Sequence, residues 1–421
     1  MISYLLEHNR YLNIVGIAVV IGLGLLFSRN RSRVNWRLVA SALGLQFGIA
    51  LLVLKINIGH DIVEGVAKGV SKIYQFADHG SRFIFGSLVD VQGAWGFIFA
   101  VKILPVIIFF GAFTALLFHL RIIQFFVSLA ERGIRPLLRT SGAETLCAIA
   151  NSFLGQTEAP LLVRNYLRAM TKSELFVVMV SGMATISGSI LVVFAAMGVP
   201  ADHMLAASVM AIPASIMMAK ILYPETEESE TAGETAVKFE APSKNIFDAI
   251  SLGTSDGLQL AVNVAAMLIS FIAFFALINY CLGFVAIKIN GLLTAGGIGF
   301  QLPVLSLDML FSYLFSPFAY LLGFTGSDAQ AAGELLGLKV TINELVAYSK
   351  MITLNISERA KDIITYALCG FSNFSCIGIQ IGGIGALVPE KRRWLTELGL
   401  FAVLGSSLAN LLSALIAALL L

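Results

Sequence analysis

Eight apolar segments of about twenty residues dominate the sequence. A helix needs about 20 mainly apolar residues to cross the hydrocarbon core of a bilayer. The segments are 11–28, 36–54, 94–118, 175–199, 201–222, 258–285, 363–388 and 395–421. Of the 421 residues, 57% are hydrophobic and only 13% are charged, whereas soluble domains carry about 25% charged residues. The sequence therefore predicts an all-α polytopic membrane protein with eight transmembrane helices.

Basic residues orient these segments, because cytoplasmic loops of membrane proteins are enriched in Lys and Arg. Basic clusters follow the first segment (29–37) and the third (121–139), and a further cluster separates the last two (390–393). All three lie on one side of the membrane if the eight segments cross it. The prediction is a multi-pass protein of the cell inner membrane whose N- and C-termini lie outside the cytoplasm.

Three other regions are apolar but broken by polar residues: 56–93, 121–170 and 301–350. Within the second of them, residues 121–139 alternate Arg with Ile, Phe and Leu. This alternation predicts an amphipathic helix that lies on the inner membrane surface. The three broken regions are not expected to cross the membrane fully, because the basic clusters would then lie on different sides.

A hydrophilic acidic linker at 224–244 divides the chain and indicates a mobile cytoplasmic loop. On each side of it, a broken stretch with a polar tip (about 140–170 and 315–350) precedes two apolar segments. By the charge argument, the first stretch enters from inside and the second from outside. Inverted repeats with discontinuous helices are typical of secondary transporters, whose site lies near the bilayer midplane. We therefore interpret the two stretches as re-entrant helical hairpins.

The stretch 151–160 is the strongest candidate site, because two amides, a hydroxyl and a carboxylate lie within it. A charged residue at membrane depth is costly, so Glu158 indicates function. Gly155 and Pro160 disrupt a helix, and irregular backbone survives in a membrane only where protein or a water-filled cavity covers it.

Three further polar groups each have a purely structural alternative. The hydroxyls of 183–190 could supply oxygen ligands for a monovalent cation, or could only help helices to pack. Glu344 could face a site, or could extend to the membrane interface. The glycine-rich segment 369–385 could be a tight helix contact, but Asn373 at its centre favours a site.

The polar groups of these four stretches suit a neutral, planar, hydroxyl-rich solute. No Arg or Lys lies in them, and we interpret Lys102 as extending from a segment end to the interface. The chain has no Ser–His pair or metal cluster in the candidate site, so no enzyme is expected. No basic tract indicates nucleic-acid binding. The four cysteines form no CxxC pair, which predicts buried free thiols.

Three motifs together resemble the concentrative nucleoside transporter family, in its compact bacterial form. They are Gly-Gln-Thr-Glu-Ala-Pro at 155–160, Asn-Glu-Leu-Val-Ala-Tyr at 343–348 and Thr-Tyr-Ala-Leu-Cys-Gly-Phe-Ser-Asn-Phe-Ser at 365–375. The resemblance implies a homotrimeric, elevator-type symporter that imports nucleosides with sodium as coupling ion and without another cofactor. Proton coupling through Glu158 or Glu344, transport of nucleobases or a related polar solute, and an ion channel remain alternatives.

The resemblance also implies roles for individual residues. The nucleobase-binding set is Gly155, Gln156, Thr157 and Glu158, with Ile190 as an apolar wall. The ribose-binding set is Glu344, Phe371, Asn373 and Cys376. The sodium ligands are Asn151, the Leu154 carbonyl, Thr185 and the Ile186 carbonyl. Cys376 stands where the family commonly has Ser, and a thiol is a weaker hydrogen-bond partner than a hydroxyl.

The resemblance divides the chain into a scaffold and a moving transport domain. The scaffold comprises 1–118, with helices one to three, and 245–300, with helix six. The transport domain comprises 119–223 and 301–421, each with an interfacial helix, a re-entrant hairpin and two further helices.

Overall fold

The computed structural model describes residues 2–90, 92–231, 243–297 and 300–421, and within these ranges all regular secondary structure is helical. The α-helices are α1 (Ile2–Leu6), α2 (Arg10–Leu26), α3 (Trp36–Lys55), α4 (Asn57–Phe85), α5 (Phe99–Lys102), α6 (Leu104–His119), α7 (Ile122–Leu138), α8 (Gly142–Ala150), α9 (Ala159–Leu162), α10 (Lys172–Ala184), α11 (Gly188–Ala196), α12 (Ala201–Leu222), α13 (Ile246–Ala295), α14 (Leu307–Leu321), α15 (Gly326–Thr341), α16 (Glu344–Met351), α17 (Glu358–Leu368), α18 (Phe374–Leu387) and α19 (Arg392–Leu420). The prediction of an all-helical chain is confirmed for the described residues.

Seven helical stretches are long and apolar enough to cross a membrane, by length and composition among the described residues. They are Tyr4–Leu26, Trp36–Lys55, Phe99–His119, Lys172–Ala196, Ala201–Leu222, Ile246–Ala295 and Pro389–Leu420. These coincide with seven of the eight predicted segments. The eighth, 363–388, is divided between α17 and the short apolar helix α18. A count of eight membrane crossings therefore stays a prediction.

Polar residues interrupt the apolar sequence of 56–93, yet α4 within it is continuous for 29 residues and is not among the seven candidate spans. Its inward face carries Val70, Ile73, Tyr74 and Ala77, which pack near Val106 on α6. Residues at this spacing lie on one face of a helix, and the polar residues between them lie on the other. An amphipathic helix needs no continuous apolar run, so the polar residues of this region do not interrupt the helix.

Lys102 at the end of α5 also differs from its interpretation. Its ammonium lies 2.6 Å from an Asp78 carboxylate oxygen on α4, and its side chain is largely buried. This ion pair, and not extension to the interface, accommodates the charge.

Two further predictions, about the segment 121–139 and about the four cysteines, are partly confirmed. The amphipathic segment 121–139 forms α7, with Phe125 and Phe126 exposed on its outer side. Three cysteines are buried free thiols, but Cys281 on α13 is exposed in the isolated chain, which corrects the prediction for that residue.

The acidic linker is predicted to be mobile, and its first part forms hydrogen bonds with the start of α10. The Thr171 hydroxyl donates to the Glu225 carboxylate at 2.8 Å, and the hydroxyls of Ser229 and Thr231 donate to the Glu174 carboxylate. Hydrogen bonds thus connect residues 225–231 to the start of α10, and the mobility of the linker stays a prediction. Residues 232–242 lie outside the described part of the chain.

The long helix α13 packs on α6 through glycines. A Cβ on Gly111 would lie 2.6 Å from the Gly253 carbonyl oxygen, and one on Gly257 would lie 2.8 Å from the Ile108 carbonyl oxygen. Such distances leave no room for a side chain, because each opposing atom belongs to the backbone. Small residues allow helices to approach this closely in membranes, where van der Waals contact drives their association.

We expect Gly257→Ala to separate α13 from α6 and to lower stability by about 1–3 kcal/mol, because the added methyl group overpacks the contact. The measurement is the thermal unfolding temperature of the purified full-length chain. Gly291→Ala is the matched control on the same helix, since a Cβ there meets nothing within 4 Å. An unchanged unfolding temperature for Gly257→Ala would contradict this description of the contact.

Candidate binding site

The stretch 151–158, which the sequence predicts to be the first hairpin tip, lies between α8 and α9. The sequence starts α8 with a capping box, in which the Ser141 side chain accepts from the Glu144 N–H and the Glu144 carboxylate accepts from the Ser141 N–H. After α8 ends, residues 151–158 form turns, and α9 begins with Pro160 in its first turn, where a missing N–H costs nothing. The polar residues of the tip are therefore held on irregular backbone.

The tip docks on a break in the fourth apolar segment, between α10 and α11. The Gly188 N–H donates to the Phe153 carbonyl at 3.1 Å, and the Thr185 hydroxyl donates to the Asn151 carbonyl at 3.1 Å. The Ser187 side chain caps α11 by accepting from the Ile190 N–H. Each irregular segment thus supplies partners for polar groups of the other.

A second break, at 369–373, separates α17 from α18. The Asn373 side chain caps α18 by accepting from the Cys376 N–H at 3.0 Å. The second hairpin region approaches this break, because the Tyr348 hydroxyl of α16 donates to the Thr365 carbonyl of α17 at 2.9 Å. These hydrogen bonds stabilise the start of α18 and connect α16 to α17 near this break.

These elements surround a cavity of about 840 Å³, within the range of about 300–1,000 Å³ that small-molecule sites occupy. The predicted nucleobase and ribose residues all line it. They are Gly155, Gln156, Thr157, Glu158, Ile190, Glu344, Phe371, Asn373 and Cys376. Glu158 and Asn373, which are 215 positions apart in the sequence, thus face one space.

Gln156 joins the two halves of the chain across this cavity. Its amide NH₂ lies 3.2 Å from the Cys376 sulfur, and its amide oxygen accepts from the Gln380 side chain at 3.2 Å. Gln380 is fully buried and also donates to the Met179 carbonyl at 3.0 Å. Because the same NH₂ group of Gln380 bonds to both, Gln380 connects the Gln156 amide to the Met179 carbonyl, a contact that sequence reasoning did not anticipate.

Glu344 lies at the cavity wall, 6% exposed. One carboxylate oxygen accepts from the Asn373 side-chain amide at 3.0 Å, and the Ser375 hydroxyl donates to the Asn373 amide oxygen at 2.6 Å. Extension to the interface is therefore excluded for this side chain. Glu344 and Asn373 instead present adjacent acceptor and donor groups, which suit hydroxyls of a bound solute.

All four residues predicted to bind the cation are buried, and the Thr185 hydroxyl contacts the Asn151 carbonyl. The side-chain NH₂ of Asn151 donates to the Ser181 hydroxyl at 3.1 Å. The side-chain oxygen of Asn151 has no hydrogen-bond partner among the described residues. Leaving such an oxygen unpaired costs about 1–3 kcal/mol. Leu154 and Ile186 lie outside helices, so their carbonyls are not committed to helical hydrogen bonds. This oxygen-rich pocket fits a hard cation.

The structural alternative for the Thr185 hydroxyl also holds, since it bonds back to the Ser181 carbonyl at 2.9 Å. A hydroxyl that donates keeps lone pairs that can coordinate a cation. The described residues contain no cluster of three His, Cys, Asp or Glu side chains suited to a metal. The cavity side chains do not include any His.

Sequence reasoning missed two features around the site. Asp256, Gln259 and Asn263 of α13 line the opposite wall of the cavity, although the surrounding segment reads as apolar. Lys339, four residues before Asn343, is buried near the end of α15 and does not line the cavity. The sequence feature that could have indicated this buried charge is a single Lys within an apolar run of α15.

Three family models match successive parts of the chain. "Na+ dependent nucleoside transporter N-terminus" matches residues 15–88, "Nucleoside recognition" matches 100–201, and "Na+ dependent nucleoside transporter C-terminus" matches 203–418. Together they cover most of the sequence.

Relatives and solved structures agree with these matches. The nucleoside permease NupC of Helicobacter pylori is 38% identical over 97% of each chain. Sodium/nucleoside cotransporter 1 of Rattus norvegicus is 35% identical over 98% of this chain and 64% of the rat protein. The structure of CNTnw in an inward-facing substrate-bound state is 38% identical, with a TM-score of 0.88 over 97% of each chain. A CNTnw variant in an outward-facing state also has a TM-score of 0.88.

We expect sodium to raise the unfolding temperature of the purified chain, and Thr185→Val or Asn151→Leu to remove this effect. A ligand that binds only the folded state stabilises it by about 2.7 kcal/mol at one hundred times its Kd. The measurement compares sodium chloride with choline chloride at equal ionic strength. Thr254→Val is the control, because this exposed Thr lies on α13 away from the pocket. A sodium response that survives in Asn151→Leu would refute the assignment.

Proposed function

The chain belongs to the Na+-dependent nucleoside transporter family, and from this premise we propose that it imports nucleosides as a symporter driven by the sodium gradient. Its relatives are transporters and not enzymes. The observation that carries the proposal is the first hairpin tip, which contributes Gln156 to the cavity and Asn151 to the oxygen-rich pocket. Solute and cation would therefore bind to one short segment.

In the proposed complex, the nucleobase lies against the hairpin tip. Gln156, Thr157 and Glu158 offer donors and acceptors to the edge of the base, while Ile190 covers one face. The Gly155 N–H donates to the Glu158 carboxylate at 3.2 Å, which fixes the carboxylate toward the cavity. The side-chain contacts of Gln380 hold the amide of Gln156 in one orientation.

The ribose would lie against the second half of the chain. Glu344 accepts hydrogen bonds from ribose hydroxyls, Asn373 donates or accepts, and Phe371 contacts the sugar–base unit. The Cys376 sulfur already accepts a hydrogen bond from the Gln156 amide. We therefore propose that the thiol acts by holding Gln156, on the base side of the site. A site that bonds hydroxyls disfavours free nucleobases, because its polar groups would remain unpaired.

Coupling follows from the shared tip. A sodium ion between Asn151, the Leu154 carbonyl, Thr185 and the Ile186 carbonyl would join the tip to the break between α10 and α11. This ordering would hold the base-binding side chains in place. Binding free energies are reciprocal, so nucleoside would raise sodium affinity by the same factor that sodium raises nucleoside affinity.

We propose that the chain contains two re-entrant hairpins within inverted repeats. For transport, we propose an elevator movement within a homotrimer. The transport domain (119–223 and 301–421) would carry the site past a scaffold (1–118 and 245–300). The cavity is consistent with this division, because residues of both parts line it, such as Gln156 and Asp256. The exposed apolar surface of α13 suits contact with lipid or a neighbouring subunit. We place the protein in the inner membrane with both termini outside the cytoplasm.

Proton coupling is the second candidate, because Glu344 is a buried carboxylate at the cavity wall. Uptake that persists without sodium and is lost when the pH gradient collapses would favour it. The Asn151 pocket would then have a structural role only.

We expect proteoliposomes that contain the protein to accumulate labelled uridine under an inward sodium gradient, and not without one. Excess unlabelled adenosine should block this uptake by competition, whereas a free nucleobase should not. The measurement is initial uptake rate with sodium or choline outside. Uptake that ignores both gradients would contradict symport, and uptake unaffected by nucleosides would contradict the substrate class.

We expect Glu344→Ala to reduce uridine uptake at least one hundredfold, because the ribose hydroxyls lose their carboxylate acceptor. Hydrogen bonds to charged groups contribute about 1.5–3 kcal/mol each, and ribose offers two such hydroxyls. Glu358→Ala is the control, since Glu358 is exposed at the start of α17. Wild-type uptake by Glu344→Ala, with normal expression, would show that ribose does not bind there.

A further inference from the structure

Lys339, in the last turn of α15, is a buried cation that the proposed mechanism does not use. Its residue is 2% exposed. The ammonium donates to the Ala367 carbonyl at 2.7 Å and to the Asn410 side-chain oxygen at 2.8 Å. Among the described residues, Lys339 forms no ion pair with a carboxylate. Burial of an unpaired ammonium is costly, so a role must be sought in what these two neutral oxygens position.

The first partner belongs to the end of a broken helix. Ala367 lies in the last turn of α17, where carbonyls have no partner within the helix. The partial negative charge at a helix C-terminus favours a cation there. The Lys339 ammonium therefore satisfies the end of α17 just before the break at 369–373.

The second partner joins this helix end to the other break. The Asn410 amide of α19 donates to the carbonyl of Ala184, the last residue of α10, at 2.7 Å. Its oxygen also accepts from the Ser372 hydroxyl at 3.2 Å. Gly370 permits this approach, because a Cβ there would lie 2.6 Å from both the Asn410 oxygen and the Ala184 carbonyl. One short network thus fixes the ends of α10 and α17.

The two breaks differ in how their oxygens are satisfied. Beside the first break, the side-chain oxygen of Asn151 in the docked tip is buried without a hydrogen-bond donor among the described residues. At the second, a carbonyl and a side-chain amide oxygen receive the Lys339 ammonium. The first break presents oxygens that an exchangeable cation can bind, whereas the second already contains a cation joined covalently to the chain.

We propose that Lys339 is a tethered cation and a positioning residue of the nucleoside site. It holds the end of α17 and the break that follows it, and thereby places Phe371 and Asn373 at the cavity wall. It also takes the position that a second exchangeable sodium ion would need at this break. This inference rests on the proposed function, since nucleoside binding is what the positioned residues serve.

The test measures uridine Kd by isothermal titration of the purified full-length chain in saturating sodium. Lys339→Ala should weaken uridine binding at least tenfold. Added n-propylammonium, which matches the deleted atoms, should recover at least threefold of that loss, because it restores a donor to both oxygens. The same concentration of 1-propanol should recover much less, since it fills the space without the charge.

Lys361→Ala is the matched control, because Lys361 lies on α17 and pairs with the exposed Glu358 at 2.7 Å. It should bind uridine with wild-type affinity and should not respond to n-propylammonium. Wild-type affinity in Lys339→Ala would overturn the proposal. Equal recovery by n-propylammonium and 1-propanol would also overturn it, since packing alone would then explain the loss.

If Lys339→Ala does not yield folded protein, Asn410→Ala supplies the decision. Loss of this oxygen should weaken uridine binding at least threefold, and unchanged affinity would overturn the proposal. Absence of uridine binding by the wild-type chain would refute the proposed function itself and the inference with it. That outcome is distinguishable, because it appears before any variant is compared.

Discussion

The site depends on one constraint: polar backbone groups that a broken helix leaves free must find partners within the protein, because hydrocarbon offers none. The first hairpin tip and the break between α10 and α11 satisfy each other. The Gly188 N–H donates to the Phe153 carbonyl, and the Thr185 hydroxyl donates to the Asn151 carbonyl. Neither irregular segment is stable in a membrane by itself. Their contact creates both the inner wall of the cavity and the oxygen-rich pocket behind it.

The same constraint explains why buried side chains connect distant parts of the chain. Gln380 reaches Gln156 of the hairpin tip and the Met179 carbonyl of α10, so the second half of the chain supports the first. Asn410 and Lys339 do the same for the ends of α10 and α17. Buried hydrogen bonds of this kind are stronger than those in water, because the local dielectric is low. The binding of a solute that contacts both halves would therefore depend on the arrangement of both breaks.

Much of the organisation could be predicted from consecutive residues. Seven predicted apolar segments coincide with long apolar helices, because the bilayer thickness sets the length of a spanning helix. The family resemblance carried by the three motifs identified nine residues that line a single cavity, since Gly, Asn and Ser mark positions where a helix breaks and backbone groups become available. The buried position of Glu344 was one of two alternatives until its contact with Asn373 decided between them.

The sequence by itself thus determined the class of protein, most of its long helices and the composition of its site. Only the tertiary structure decided which polar groups meet. Lys102 pairs with Asp78, 24 positions away, and Lys339 bonds to Asn410, 71 positions away. Hydropathy and motif spacing describe neighbouring residues, whereas these pairs arise where segments distant in sequence pack together. The free energy of burying a charge depends on such partners, so the role of each buried charge could be assigned only from the folded chain.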